Sequence, residues 1–338
     1  MTDDPIDIDT VTAVAPERLS VRRENPGAFA DANGLFPAKP APSDSDLSAD
    51  ERETLLRETH VLVVSIPYPL KLRERTPNLK WVYFTFAGVG DFNQVDIWRT
   101  SVSITSGRGI VTALPIAEMV VSAALSFAKD LGLAQRQTDA GELHASAFNQ
   151  KLIVGKTMGV IGLGGIGREI ARLSRALGMR VVATRHSATS RQENIDHADV
   201  LYPSSEVDAL LGQSDFVALA APLTDETRLM FNADTFAKMK DGAFLLNVAR
   251  GEHIDETAMK DALRSGKLGG AYLDVYTNEL FVPPDPELMA FPNVVMTPHN
   301  SGYTDVKLWP ITEHFVDNLK RFIAGQPLEN LVDFGRGY

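Results

Sequence analysis

Short apolar runs recur along the chain, each followed by a polar turn and then by apolar positions at helical spacing. The runs predict strands over 61–65 and 81–84, a third ending at Ile104, and further strands over 158–161, 180–184, 200–202, 216–219, 243–247, 270–274 and 294–296. They are continuous rather than alternating, which is the pattern of parallel strands buried on both faces. One long helix is predicted over 115–136, with Pro115 tolerated in its first turn. Another is expected over 305–324. Ser48 followed by Glu51 has the spacing of a capping box at a helix start. Residues 1–50 are rich in Pro, Asp and Ser, and the stretch from Pro37 reads as an extended loop. Strands alternating with helices in two successive groups predict two α/β units.

The second group opens on Met158-Gly159-Val160-Ile161, and Gly162, Gly164 and Gly167 follow in the spacing G-x-G-x-x-G. Ile170, Leu173 and Leu177 then recur at helical spacing. Strand, glycine turn and helix together form the setting in which this motif binds a dinucleotide. Gly162 permits the tight turn, Gly164 lets a pyrophosphate approach the backbone, and Gly167 lets helix and strand pack closely. The helix N-terminus aims its N–H groups at the phosphates. An acid normally stands about 20 residues further on, where it holds the ribose hydroxyls. Here Arg185, His186 and Ser187 occupy that place, and the first carboxylate after them is Glu193. A cation with hydroxyls suits a 2′-phosphate, so NADP(H) is expected in preference to NAD(H), with NAD(H) use possible.

Composition narrows the remaining classes. The 338 residues suffice for two domains, and 44% apolar with 23% charged residues is ordinary for a globular chain. A net charge of −11 argues against nucleic acid or an anionic membrane as partner. The chain has no cysteine, which excludes disulfides, thiol nucleophiles and thiolate metal sites. The start, MTDDPIDIDT, lacks the basic and apolar regions of a signal peptide, and the apolar run 113–128 is too short for a membrane span. A cytoplasmic location is the expectation.

Three stretches past predicted strands carry candidate chemistry: Asn247-Val248-Ala249-Arg250-Gly251, Leu273-Asp274-Val275-Tyr276-Thr277-Asn278-Glu279 and Met296-Thr297-Pro298-His299-Asn300. Ligand groups of open α/β sheets sit at such carboxyl ends. Arg250 can hold a carboxylate and a carbonyl oxygen in its planar fork. His299 can donate a proton to that oxygen, and an adjacent Glu279 favours the imidazolium. Taken singly, each of the three also reads as an ordinary surface or core residue. Their joint placement after strands of one nucleotide-binding unit favours chemistry. His60, His144, His186, His197, His253 and His314 lack that setting, and no cluster has metal-ligand spacing. Tyr68, Trp81, Phe86 and Trp309 are candidates to line a substrate pocket, with core packing as the alternative for each.

GLGGIG, APLTDETRLMFN from Ala221, MKDGAFLLNVARG from Met239, LDVYTNE and TPHNSG together resemble the D-isomer-specific 2-hydroxyacid dehydrogenases over nearly the whole chain. The resemblance implies an α/β fold of two Rossmann-like domains with parallel sheets and an active site in the cleft between them. It implies a discontinuous substrate domain, 1–112 with 302–338, and a cofactor domain over 113–301. It places the active-site set on Arg250, Glu279 and His299, and the substrate carboxylate on main-chain N–H groups of Ala87-Gly88-Val89-Gly90, with Arg250 and His299. Cofactor contacts are expected at Gly162, Gly164, Gly165, Ile166, Gly167, Arg185, His186, Ser187, Pro222, Thr227, Ala249 and Asp274. No metal is implied, and a homodimer through the cofactor domain is. Arg185 departs from the usual acid, as in members resembling glyoxylate/hydroxypyruvate reductases. The expected activity is NADP(H)-dependent reduction of a small 2-keto acid to a D-2-hydroxy acid. Alternatives are a cofactor-sensing module like the family's corepressors, and a dehydrogenase for another anion such as phosphite.

Overall fold

The computed structural model describes residues 6–24, 47–64, 70–89, 95–110, 112–279, 282–305 and 310–335. Two compact units emerge, Met1–Thr112 with Thr304–Tyr338, and Ala113–Tyr303. In the first, β1 (Val61–Val64), β2 (Trp81–Phe84) and β3 (Ser103–Ser106) form a parallel sheet in that order. Alternate residues of β2 feed opposite faces. Trp81 and Tyr83 pack with Ile311, Phe315 and Leu319 of the helix Pro310–Ile323, whereas Val82 and Phe84 pack with Leu72, Ile97 and Ile104. The helix Ala49–Glu58 begins at the expected capping box, with Ser48 and Glu51 bonded reciprocally.

The second unit carries eight strands: β4 (Thr157–Ile161), β5 (Arg180–Arg185), β6 (Gln192–Ile195), β7 (Ala198–Pro203), β8 (Phe216–Leu219), β9 (Ala243–Asn247), β10 (Leu268–Leu273) and β11 (Val294–Met296). Their order is β11-β10-β9-β8-β4-β5-β7-β6, all parallel except β6, which runs antiparallel to β7. The chain winds outward from β4 through β5 to β7, then returns to the other side of β4 at β8. That reversal opens a crevice at the carboxyl ends of β4 and β8, where such sheets bind ligands. Both faces are covered. Val160, Ala183, Phe216 and Leu246 meet the helices Ala113–Ala128 and Gly165–Ala176, while Val182, Val217, Leu245 and Leu273 meet the helices on the opposite side.

Four expectations change. The helix predicted over 115–136 is two, Ala113–Ala128 and Leu131–Ala140, separated at Asp130, whose φ of 53° is left-handed. β3 runs two residues past Ile104 because Thr105 and Ser106 pair with Tyr83 and Phe84. β6 is polar and exposed, so it carried no apolar signal. Asp305 lies in a bend rather than in the last helix, which is described over Pro310–Ile323; residues 306–309 lie outside the described residues. Among the described residues, no helix is long and apolar enough to cross a membrane.

Candidate functional site

The glycine turn has the geometry its spacing requires. Gly162 has φ 96°, and a Cβ there would lie 2.7 Å from the Ala221 nitrogen. A Cβ on Gly167 would lie 2.2 Å from the Gly162 carbonyl oxygen. Gly164 caps the helix Gly165–Ala176, and a Cβ there would meet nothing within 4 Å. Two glycines therefore serve close backbone packing, and the third keeps open the space in front of the helix N-terminus. The first-turn N–H groups, those of Gly165 and Ile166 among them, have no acceptor within the helix and face that space. The arrangement fits a dinucleotide pyrophosphate.

At the end of β5, Arg185 is half-buried, while His186 and Ser187 are exposed. The Arg185 Nε donates to the Leu163 carbonyl at 3.0 Å, which ties this side chain to the glycine turn. Its Nη2 pairs with Asp196, and this bond holds the Asp196 carboxyl below the usual carboxylate range. That carboxylate lies beyond Glu193 in the chain, and the fold brings it to Arg185. Asp196 and His197, both at positive φ, form the two-residue turn between β6 and β7. The signs match a mirror-type hairpin turn, normally marked by glycine, so the sequence carried no signal for it. His186 Nδ1 lies 3.8 Å from a Glu226 oxygen. Thr227 donates to the Pro222 carbonyl at 2.8 Å and closes the turn after β8.

Arg250, Glu279 and His299 follow β9, β10 and β11, three neighbouring strands. His299 Nδ1 lies 2.6 Å from Glu279 Oε1, with the glutamate side chain 14% exposed and the imidazole 48% exposed. Asp274 fixes the histidine loop. Its carboxylate accepts from the Thr297 hydroxyl at 2.6 Å, from the backbone of Asn300 and Ser301, and from the Ser301 hydroxyl. Its carbonyl accepts from the His299 N–H at 2.9 Å. Asp274 is 1% exposed with both carboxylate oxygens engaged, so it holds the loop. His299 takes a left-handed φ of 50° within that cage.

The Arg250 segment touches the Glu279 loop directly. A Cβ on Gly251 would lie 2.0 Å from the Tyr276 carbonyl carbon, so only glycine fits there. Glu256 accepts from the Thr277 N–H at 2.9 Å and Glu252 from the Asn278 N–H at 3.4 Å, which grips the same loop. Arg250 Nη1 donates to the Ala249 carbonyl at 2.7 Å, and buried Asn247 brackets the bend by bonding Ala249 N–H and the Arg250 carbonyl. Asn247, Gly251 and Asp274 sit inside motifs that sequence reading singled out, whereas Glu252 and Glu256 lie outside them and reach partners 26 and 21 residues away.

Ala87, Gly88 and Val89 follow β2 in the first unit, with Val89 buried; Gly90 lies outside the described residues, as do Tyr68 and Trp309. Trp81 does not line a pocket. It is fully buried, stacks on Phe315 and donates to Thr105 Oγ1. Phe86 is exposed. Among the described residues, no group of His, Asp and Glu is placed to hold a metal ion. A hollow lined by Lys151, Lys156 and Lys240 together with Asp215 and Asp241 lies at the amino ends of the strands and takes no part in this constellation.

Comparison with known proteins identifies the family. Residues 121–301 match the model of the D-isomer specific 2-hydroxyacid dehydrogenase NAD binding domain. The chain is 33% identical to a hydroxypyruvate reductase of Thermotoga maritima, over 76% of this chain and 83% of that protein. A D-isomer specific 2-hydroxyacid dehydrogenase from Xanthobacter autotrophicus Py2, solved with NADPH and MES, superposes with a TM-score of 0.75 at 28% identity, covering 98% of this chain and 95% of that one. An NADPH-dependent glyoxylate/hydroxypyruvate reductase from Sinorhizobium meliloti, solved with NADP and sulfate, gives 0.73 at 28% identity, covering 84% and 89%. The chain belongs to the D-isomer specific 2-hydroxyacid dehydrogenase family and is an NAD(P)-dependent oxidoreductase of that family.

Proposed function

We propose that this enzyme reduces small 2-keto acids of the glyoxylate/hydroxypyruvate kind to D-2-hydroxy acids, with NADP(H) preferred to NAD(H). The observation that carries the reading is the His299–Glu279 pair at 2.6 Å, formed where β10 and β11 end. Glu279 engages Nδ1, which leaves Nε2 to face the substrate as the acid. Arg250 supplies a planar fork that holds the carboxylate and polarises the carbonyl. His299 then delivers a proton to the carbonyl oxygen. The bound nicotinamide supplies the hydride.

The cofactor preference rests on Arg185 at the end of β5, where an acid would repel a 2′-phosphate. The phosphate competes with Asp196 for the guanidinium, and His186 and Ser187 lie beside it at the surface. The NADP(H)-bound relatives above support the same reading. A panel of 2-keto acids assayed with NADPH, followed by chiral analysis of the product, tests the proposal. D-glycerate from hydroxypyruvate is expected; L-glycerate, or turnover confined to large keto acids, contradicts it.

A further inference from the structure

His253 is a buried titratable group in contact with the Arg250 backbone that the reaction does not use. It is fully buried, and both ring nitrogens face carbonyl oxygens. Nδ1 lies 3.0 Å from the Arg250 oxygen and Nε2 lies 3.3 Å from the Pro222 oxygen. A neutral imidazole has one N–H, so it can satisfy only one of the two. Burial pushes the His253 pKa down, which favours that neutral form. The shorter contact assigns the proton to Nδ1, and the longer one places the Nε2 lone pair opposite Pro222. The Arg250 carbonyl is thereby held from two sides, by His253 and by Asn247 Nδ2 at 2.9 Å. The surrounding backbone is stitched in register, with Phe231 N–H on the His253 carbonyl and Leu229 N–H on the Glu252 carbonyl, both at 2.9 Å.

We propose that His253 is a positioning residue: its Nδ1–H fixes the Arg250 backbone so that the guanidinium is aimed at the substrate carboxylate. The proposal rests on the functional reading above, because Arg250 has a substrate to hold only in that case. Removing the donor lets the Arg250 bend relax while the cofactor turn stays in place. The loss therefore falls on substrate affinity, not on cofactor affinity.

The test compares His253→Phe, which keeps the ring volume without a donor, with His253→Asn, whose amide N–H can replace Nδ1–H. The 2-keto acid KM of His253→Phe should rise roughly tenfold, the scale set by one lost buried hydrogen bond, with NADPH affinity within about twofold of wild type. His253→Asn should recover most of that loss. Long-range proton–nitrogen NMR of the wild type should find the His253 proton on Nδ1. Unchanged KM in a folded His253→Phe, equal loss in both variants, or a proton on Nε2 overturns the proposal alone. Should His253→Phe fail to fold, the KM of His253→Asn and the tautomer decide. A wild type with no turnover of any 2-keto acid overturns the functional reading, and this proposal with it.

Discussion

Glu279 Oε1 and His299 Nδ1 meet at 2.6 Å across the ends of two neighbouring strands, with the glutamate largely shielded and the imidazole half open. The contact makes the two side chains one functional unit, so their losses should not add. His299→Ala is expected to lower kcat by roughly 10²-fold or more, and Glu279→Gln by less. The double variant should be no slower than His299→Ala alone, because Glu279 acts through the ring. Steady-state kinetics of the three variants measure this. Additive losses would mean that Glu279 acts separately on the substrate.

The glycines of the turn should separate cofactor binding from folding. Gly164→Ala places a methyl in open space, so its melting temperature should match wild type while NADPH affinity falls. Gly167→Ala must displace the Gly162 carbonyl, at a cost of about 1–3 kcal/mol. Thermal unfolding and cofactor titration on both variants check the contrast. A Gly164→Ala protein with native NADPH affinity would remove the pyrophosphate from this turn.

Acid should weaken the fold through two buried histidines. Burial pushes the pKa of His253 and of His314 down, against the opposing pull of the carbonyls around His253 and of Glu329 and Asp317 near His314. The unfolded chain then binds more protons than the native one below the ordinary histidine pKa of about 6.5. Stability from these groups is complete above that value and is lost as pH falls below it. His314→Asn should flatten the fall in melting temperature between about pH 7 and 5, even if it lowers the plateau. An unchanged slope would mean that His314 binds protons alike in the folded and unfolded chain.

Legibility in the sequence followed how local the determining contacts are. The parallel strands of both sheets were visible as apolar runs because they are buried on both faces, and the glycine turn was visible because its spacing falls within six residues, Gly162 to Gly167, although Gly162 packs on the distant Ala221. The candidate trio Arg250, Glu279 and His299 was legible as residue types after strands, yet the packing of the Arg250 segment on the Glu279 loop was not, since Gly251 against Tyr276 is a long-range contact. Asp196 escaped notice because it reaches Arg185 through a polar edge hairpin. His253 was passed over because nothing in its local sequence tells that two carbonyls converge on its ring. The break at Asp130 depends on one left-handed residue inside an otherwise helical pattern.

Cofactor choice should turn on one side chain. Arg185→Asp removes a charge-assisted contact worth on the order of 1.5–3 kcal/mol and adds repulsion, so the order of kcat/KM for NADPH and NADH should reverse. Asp196→Asn should shift preference the other way, because it releases Arg185 from its protein partner. Initial rates with both cofactors, at one saturating keto-acid concentration, read the ratio. Equal use of the two cofactors by all three proteins would mean that Arg185 serves Asp196 alone.

Turnover is tested most directly by the fall in nicotinamide absorbance when purified protein, NADPH and hydroxypyruvate are mixed. Rapid oxidation of NADPH that depends on the keto acid, and that is slowed by roughly 10²-fold or more in His299→Ala, is the predicted result. Tight NADPH binding with no oxidation, on hydroxypyruvate or on glyoxylate, would contradict it and leave the chain a cofactor-binding protein whose Arg250, Glu279 and His299 do no chemistry on these acids.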